Sequence, residues 1–466
     1  MAAATTDLPV NPEISTPAPD PAESRPEPQV QRAERIIATL LFAAVFIVRI
    51  AYVFRYRVDS DEPQHLHVAW QWALGHVAYR DFFDNHTPLF QILFSPIMIL
   101  IGERSAILDI ARLFMVPLFA LALWCVHCLG RSLFSARVAL WAPAILGAFP
   151  NYFFPTVEFR TDNLWAPLWL LMLAVLINGR ARLATTFFAG VIAGATFATS
   201  MKTGLLAGAL LAAALATYAL AGPHRPRLLS RQTLRHVFAA LGGLVIVPGA
   251  LLIFFATHGA MTSLIECVFT HNILPPEVLV EHRERRWGNF ILLVIVFLFM
   301  ARFVIRVAPS PSLGLRRALI LLHGGFLIAA VEFLWPVLTR QNYLPTYPLL
   351  VLMLAAALIP LVLGLTSFAG KAGPALAALL LGSVVAGELV WATKARPINE
   401  DRTLPADHLV EDALRLTSPN EYVMTYKGES VFRLRPYYYV LEPFTRARLA
   451  AGLLPNNIVE RLIATK

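Results

Sequence analysis

Apolar runs of about 20 residues recur down the chain, each long enough to cross a bilayer as a helix. Backbone N–H and C=O groups find no water in hydrocarbon, so a chain with this pattern is confined to a bundle of spanning helices joined by loops at the two faces. The composition agrees: 57% of the residues are hydrophobic, 15% are charged and the mean hydropathy is +0.61. This excludes a string of soluble domains, although 466 residues would otherwise suggest several. Lys and Arg number 39 against 30 Asp and Glu, a net +9. In a polytopic protein that excess belongs to cytoplasmic loops, so membrane lipids are expected partners and nucleic acid is not. Cys125, Cys128 and Cys267 are too few for a disulfide framework and fall in apolar surroundings, where packing is their expected role.

The pattern predicts eleven spans, at 36–54, 107–128, 138–153, 163–178, 184–199, 204–221, 237–257, 289–305, 318–337, 349–366 and 375–393. Pro88–Ile101 is shorter than a span and runs into Gly102 and Glu103, so it reads as a juxtamembrane or re-entrant helix. Excluding it places thirteen Arg or Lys in five short loops on one side, among them Arg131, Arg137, Arg316 and Arg317. By the positive-inside rule that side is cytoplasmic, with the N-terminus inside and the C-terminus outside. Residues 1–30 hold seven prolines and five acids and no apolar run, which predicts a disordered cytoplasmic tail rather than a signal peptide. The transmembrane domain covers 31–393, and 394–466 form a small polar domain outside the membrane. There, Glu421–Leu441 reads as a strand hairpin and a helix follows at the very end, an α/β unit. The fold class is thus a polytopic α-helical membrane protein with about 11 transmembrane helices, juxtamembrane helices in the first outer loop and a C-terminal α/β domain. The two halves of the bundle show no repeat, unlike transporters built from duplicated halves.

Polar residues without an evident structural task gather on the outer side. The first outer loop, RYRVDSDEPQHLHVAWQWALGHVAYRDFFDNHTPLF, carries Asp59, Asp61, Glu62, His65, His67, Asp81, Asp84 and His86. Aromatic and apolar residues are interleaved with them, as in amphipathic helices on a bilayer surface. Asp61 and Glu62 then begin a helix beside the membrane, where a carboxylate can take the proton of an incoming hydroxyl. A divalent cation is the alternative use of these groups, although no tight zinc spacing such as HExxH is present. VEFRTDNLW in the second outer loop places Glu158, Arg160 and Asp162 between two spans, either as an orienting ion pair or as the lining of a polar cavity. Lys202, Arg340 and the cluster Arg283, Arg285 and Arg286 put positive charge on the side that disfavours it, which asks for an anionic partner such as a lipid phosphate. Within the spans, Asp109 and Arg112 lie one turn apart and are expected to pair, Glu332 lies within reach of Arg340, and Glu388 stands in the last span.

DSDEPQHLH after the first span, YRDFFDNHTPLF before the juxtamembrane helix, EFRTD before the fourth span, Lys202-Thr203-Gly204 and RQNYLPTYP together resemble the GT-C superfamily of polytopic glycosyltransferases. The similarity spans roughly residues 36–350 and is greatest to the bacterial branch with the aminoarabinose, protein O-mannosyl and lipopolysaccharide-core galacturonosyl transferases. The resemblance implies transfer of a sugar from a polyprenyl-phosphate donor to a glycolipid, glycan or protein acceptor at the outer face of the inner membrane. It places the catalytic Asp-Glu on Asp61 and Glu62, the Arg-x-Asp on Arg160 and Asp162, and the Lys-Gly on Lys202, here interrupted by Thr203. Asp84, His86 and Glu158 are further substrate-binding candidates; the family's His-Pro-Pro-Leu reads His86-Thr87-Pro88-Leu89 here. Asp61 would act as base in an inverting displacement, and Lys202, Arg283, Arg285, Arg286, Arg340 or a bound divalent cation would stabilise the departing phosphate. Asp61, Asp162 and His65 are the ligand candidates for such a cation. A flippase or transporter for lipid-linked saccharides, or a scaffold binding partners through its C-terminal tail, are the competing readings. The sugar and the acceptor are not written in the sequence, and Tyr437, Tyr438 and Tyr439 serve either to stack on sugar rings or to fill a small core.

Overall fold

The computed structural model describes residues 32–179, 182–225, 230–273, 287–335 and 338–465. The expected disordered tail and the cluster Arg283, Arg285 and Arg286 lie outside the described residues. Seven helical stretches are long and apolar enough to cross a membrane, taking Ile107–Leu133 and Tyr347–Ala395 each as one, and shorter apolar helices accompany them. In chain order the elements are α1 (Arg32–Val53), α2 (Asp61–Ala73), α3 (Leu89–Ile101), α4 (Ile107–Leu113), α5 (Met115–Leu133), α6 (Ala136–Ala148), α7 (Pro150–Phe153), α8 (Asp162–Asn178), α9 (Leu183–Thr199) and α10 (Thr203–Leu220). There follow α11 (Arg231–Thr257), α12 (Met261–Leu264), α13 (Trp287–Val307), α14 (Pro311–Leu334), α15 (Tyr347–Thr366) and α16 (Gly373–Ala395), then α17 (Leu404–Leu416), α18 (Pro443–Ala450) and α19 (Ile458–Ala464).

Helix α3 has 13 residues, about 20 Å of rise against the 30 Å of a hydrocarbon core, and Gly102 turns the chain away at φ 70°. It packs beside α2 and is shorter than a span, as its sequence predicts. The bundle is built around α5, which lies between α6 and α8, while α9 runs along α11 and α14 joins α10 to α13. A continuous core of Trp141, Trp165, Trp169, Phe119, Phe153 and Leu352 fills its centre. Two buried polar contacts fix α1 in place. Near one end Glu34 meets Arg137 at 3.1 Å and accepts the Trp141 indole N–H at 3.0 Å. Near the other, Arg49 donates to Thr156 at 3.0 Å and lies 4.0 Å over the Phe119 ring. The sequence reading overlooked Arg49, because one arginine inside an apolar run leaves the run's hydropathy nearly unchanged.

Three expectations are corrected. Arg112 does not pair with Asp109; it turns to Glu62 in α2 at 2.6 Å, a partner 50 residues earlier in the chain. Glu332 accepts the Tyr343 hydroxyl instead of meeting Arg340. The strand hairpin over 421–441 does not form: among the described residues that segment is irregular apart from one isolated bridge, Tyr422 to Leu434. Gly428 and Val431 have φ of 98° and 54°, which breaks the extended path. Val431 and Phe432 instead enter a core with Leu66, Trp70, Phe90 and Met98, so the C-terminal residues close over α2 and α3 and not over themselves.

Helices α9 and α11 approach closely where Gly190 and Gly194 face Ala240 and Leu244, and Gly243 faces Phe187 and Val191. A Cβ on Gly243 would stand 2.8 Å from the Val191 amide nitrogen, a contact no side-chain rotation relieves. Gly243→Val is expected to lower the stability of the solubilised protein by about 1–3 kcal/mol, read as a fall in thermal midpoint, whereas Gly242→Val, which meets nothing nearby, leaves it unchanged.

Candidate active site

The end of the bundle where α1 stops is built from loops that are remote in sequence. Val53 ends α1, the chain turns through Tyr56, which stacks on Phe154 at 5.1 Å, and α2 begins at Asp61. Two carboxylates in the first turn of a helix are favoured by its dipole, which accounts locally for Asp61 and Glu62. Their surroundings then separate them. Glu62 is fully buried, its oxygens 2.6 and 2.7 Å from the Arg112 guanidinium, and it also accepts the backbone N–H groups of Phe159 at 2.7 Å and Asp59 at 2.9 Å. With these contacts filled it is enclosed beside Asp61 and fixes the turn.

Asp61 faces the other way. One oxygen lies 2.7 Å from Nη1 of Arg160 and the other contacts Nζ of Lys427, a residue of the C-terminal segment. Its side chain keeps 24% of its surface open, against 18% for Asp59 and 0–2% for Glu62, Asp84, Glu158 and Asp162. Burial would raise the Asp61 carboxyl, but the charges of Arg160 and Lys427 outweigh it and hold the group well below the usual carboxylate range. Arg160 is the hub. Besides Asp61 it contacts Asp59, approaches Asp162 at 3.6 Å and Glu158 at 4.0 Å, and these acids hold it charged despite its burial. Asp162 is held in turn by Lys202 at 2.8 Å. Thr203, which interrupts the Lys-Gly pair, accepts the Trp165 indole N–H at 2.9 Å and so docks the Lys202 turn onto α8.

Glu158 accepts from Gln341 of the RQNYLPTYP segment at 2.7 Å and lies 3.5 Å from Arg57. Burial pushes its carboxyl upward against the pull of Arg160, with the charges of Glu62 and Asp59 adding to the rise. Opposite lies His86, whose Nδ1 is 3.0 Å from Asp84. Burial would lower this imidazole, but the hydrogen bond and charge of Asp84, together with Asp61 and Glu442, raise it above the ordinary value. His65 packs against the His86 ring at 4.8 Å and is kept neutral by burial and by the neighbouring charges of His86 and Arg160. Asp61, Glu62, Asp84, His86, Glu158, Arg160, Asp162 and Lys202 are thus brought to one end of the bundle, while Arg340 is exposed at the head of the turn that supplies Gln341. Lys427, Asp59, Arg57 and Gln341 complete the site. Lys427 lies in a polar segment with no local signal, and only its contact with Asp61 identifies it.

The carboxylates Asp59, Asp61, Glu158 and Asp162 are matched by the cations Arg57, Arg160, Lys202 and Lys427. Each acid already faces a cation, and the proposed set Asp61, Asp162 and His65 does not converge. Among the described residues no three His, Cys, Asp or Glu side chains gather to hold a metal ion.

A family model described as dolichyl-phosphate-mannose-protein mannosyltransferase matches residues 85–253, which include Glu158, Arg160, Asp162 and Lys202. No curated protein matches the chain. Among solved structures, ArnT from Cupriavidus metallidurans in the apo state is similar over 89% of this chain and 88% of its own, with TM-score 0.60 and 14% identity. The same enzyme bound to undecaprenyl phosphate gives a TM-score of 0.59 at the same identity and coverage. The oligosaccharyltransferase AglB from Archaeoglobus fulgidus, in complex with an inhibitory peptide and a dolichol-phosphate, is similar over 88% of this chain and 61% of its own, with TM-score 0.51 and 14% identity. The resemblance to the GT-C superfamily carried by the loop motifs therefore holds at the level of the fold.

Two outcomes follow from this geometry. Glu62→Gln leaves Arg112 buried without a counter-charge and is expected to cost about 3–5 kcal/mol in stability, seen as a large drop in thermal midpoint, while Asp61→Asn leaves the midpoint near wild type. Burial pushes the imidazole of His67, whose Nδ1 is 2.8 Å from the Val431 carbonyl, down to about 4. Between pH 6.5 and 4 the unfolded chain binds this proton and the folded chain does not, so the stabilisation is complete above pH 6.5 and is lost as the pH falls, about 3 kcal/mol in all. Limited proteolysis of the C-terminal segment is expected to quicken from pH 7.5 to pH 5, and His67→Gln is expected to flatten that dependence.

Proposed function

We propose that this protein is an inverting glycosyltransferase that moves a sugar from a polyprenyl-phosphate donor to an acceptor hydroxyl at the outer face of the bacterial inner membrane. In this reading the N-terminus is cytoplasmic and the active end and C-terminal residues are periplasmic. The observation that carries it is the placing of Asp61: the most open carboxylate of the site, at the first turn of a juxtamembrane helix, aimed by a fully buried neighbour and held by two cations. The acceptor oxygen forms its bond to the anomeric carbon while its proton passes to Asp61. The bond from that carbon to the phosphate oxygen breaks on the opposite face, and its electron pair stays on the phosphate.

Because the cations of the central cluster already face carboxylates, the leaving phosphate needs charge from its margin. We assign that task to Arg340 and to the basic segment with Arg283, Arg285 and Arg286; His86 is already paired with Asp84. Lys202 is engaged by Asp162 and orients the turn. An apolar groove of about 380 Å³, lined by Gly204, Leu205, Gly208, Phe290, Val294 and Phe326, opens beside this turn and suits the first isoprenoid units of the donor. The undecaprenyl phosphate and dolichol-phosphate held by the two similar enzymes support a polyprenyl phosphate as the lipid. Among the described residues the side chains do not form a cation cradle, and no step is routed through a metal.

The test is release of free polyprenyl phosphate from a panel of polyprenyl-phosphate sugars by purified wild type and Asp61→Asn, with cell-envelope lipids as acceptors. Wild type is expected to turn over one donor, and Asp61→Asn to lose about 10²–10⁴-fold while staying folded. Translocation of the donor across vesicles without product formation would favour the flippase instead.

A further inference from the structure

Arg160 and Lys427 together hold the Asp61 carboxylate low in basicity, so it becomes a stronger proton acceptor when Lys427 is drawn away as the acceptor arrives. Lys427 has a second face. Its side chain also lines a cavity of about 470 Å³ between α2 and the C-terminal segment, a volume within the range of small-molecule sites. Gln64, His67, Gln71 and His76 form the α2 side, and Tyr437 and Tyr438 stand among the lining residues of the C-terminal side.

The charge of this cavity is one-sided. Lys427, Arg435 and Arg461 line it, and the one carboxylate among its described lining residues, Asp81, is already bound by Arg80 at 2.8 Å and by the Val77 N–H at 2.7 Å. Arg435 donates only to the backbone carbonyls of Thr425, Tyr426 and Tyr439, at 2.9–3.3 Å. Glu429 lies near enough to favour its charge but is turned to the Lys427 backbone N–H at 2.8 Å. A guanidinium held by carbonyl dipoles on the wall of a polar cavity is a place prepared for an anion. Polar side chains from α2 and aromatic rings from the C-terminal segment suit a sugar ring.

Resting on the transferase reading above, we propose that this cavity is the acceptor site and that it takes a saccharide bearing a carboxylate or phosphate group. The anionic group sits between Arg435 and Lys427, competes with Asp61 for the lysine, and so frees the Asp61 oxygen that Lys427 covers as the hydroxyl is delivered. The C-terminal segment thereby selects the acceptor, and the spanning helices hold the donor.

Binding is measured on the full-length protein in detergent micelles by saturation-transfer NMR, with glucuronate, glucose 6-phosphate, glucose and inorganic phosphate as probes and no donor present. Turnover is not required, so failure of the transferase reading and failure of this proposal are read separately. The two acidic sugars are expected to bind at least about ten-fold more tightly than glucose or inorganic phosphate, the worth of one charge-assisted contact. Arg435→Gln is expected to remove that preference and the exposed Arg461→Gln to reduce it. Should Arg435→Gln lower the thermal midpoint, Arg435→Lys and Arg461→Gln decide. Equal binding of glucose and glucuronate, inorganic phosphate as tight as glucose 6-phosphate, or folded arginine variants that bind like wild type would each overturn the proposal.

Discussion

The contact between Glu62 and Arg112 holds the rest of the functional end in place. Both side chains are enclosed, and Arg112 also donates to the carbonyls of Val53, Tyr56 and Arg57 while Glu62 accepts the Phe159 N–H. One ion pair thus ties together the last turn of α1, the start of α2, the last turn of α4 and the loop before α8. Taking two charges out of water is costly, and the cost is offset because the guanidinium of Arg112 and both oxygens of Glu62 have their own hydrogen-bond partners. The return is geometric: the residue before Glu62 has one permitted direction, and that residue is Asp61.

Arg160 extends the same logic outward. A guanidinium among Asp59, Asp61, Glu158 and Asp162 stays charged, and the acids around it diverge in behaviour according to their own burial and partners. Asp61 is held ionised and partly open, whereas Glu158, deeper and beside other acids, is pushed toward holding its proton. Such separation of similar groups by environment is what proton-transfer chemistry requires. The apolar helices below contribute rigidity through close contacts, such as that between α9 and α11, and through isolated buried polar ties such as Arg49 with Thr156.

The seven stretches long and apolar enough to span were legible because hydropathy is a local property summed over about 20 residues, and α3 was legible as a short helix because it failed the same length criterion. The first-loop acids, Arg160, Asp162 and Lys202 were legible as charges on one side of the alternation. Their pairing was not. Arg112 looked toward Asp109 because one helical turn is the only proximity a sequence displays, and the structure supplied Glu62 from 50 residues away. The hairpin over 421–441 failed for a related reason: its apolar residues have the composition of strands, but Val431 and Phe432 pack against α2 and α3, which are remote in sequence.

The sequence alone determined what the bilayer dictates: that the chain is a bundle of apolar helices, with its charged residues gathered mainly in the segments between them. These follow from solvation, which each segment meets on its own. Only the tertiary structure decided which acid is open and which is locked, that Lys427 joins the site, and that the C-terminal residues form one wall of a charged cavity. Those depend on distances between residues up to 366 positions apart, and electrostatic interactions at a few ångströms have no counterpart in the linear order of the chain.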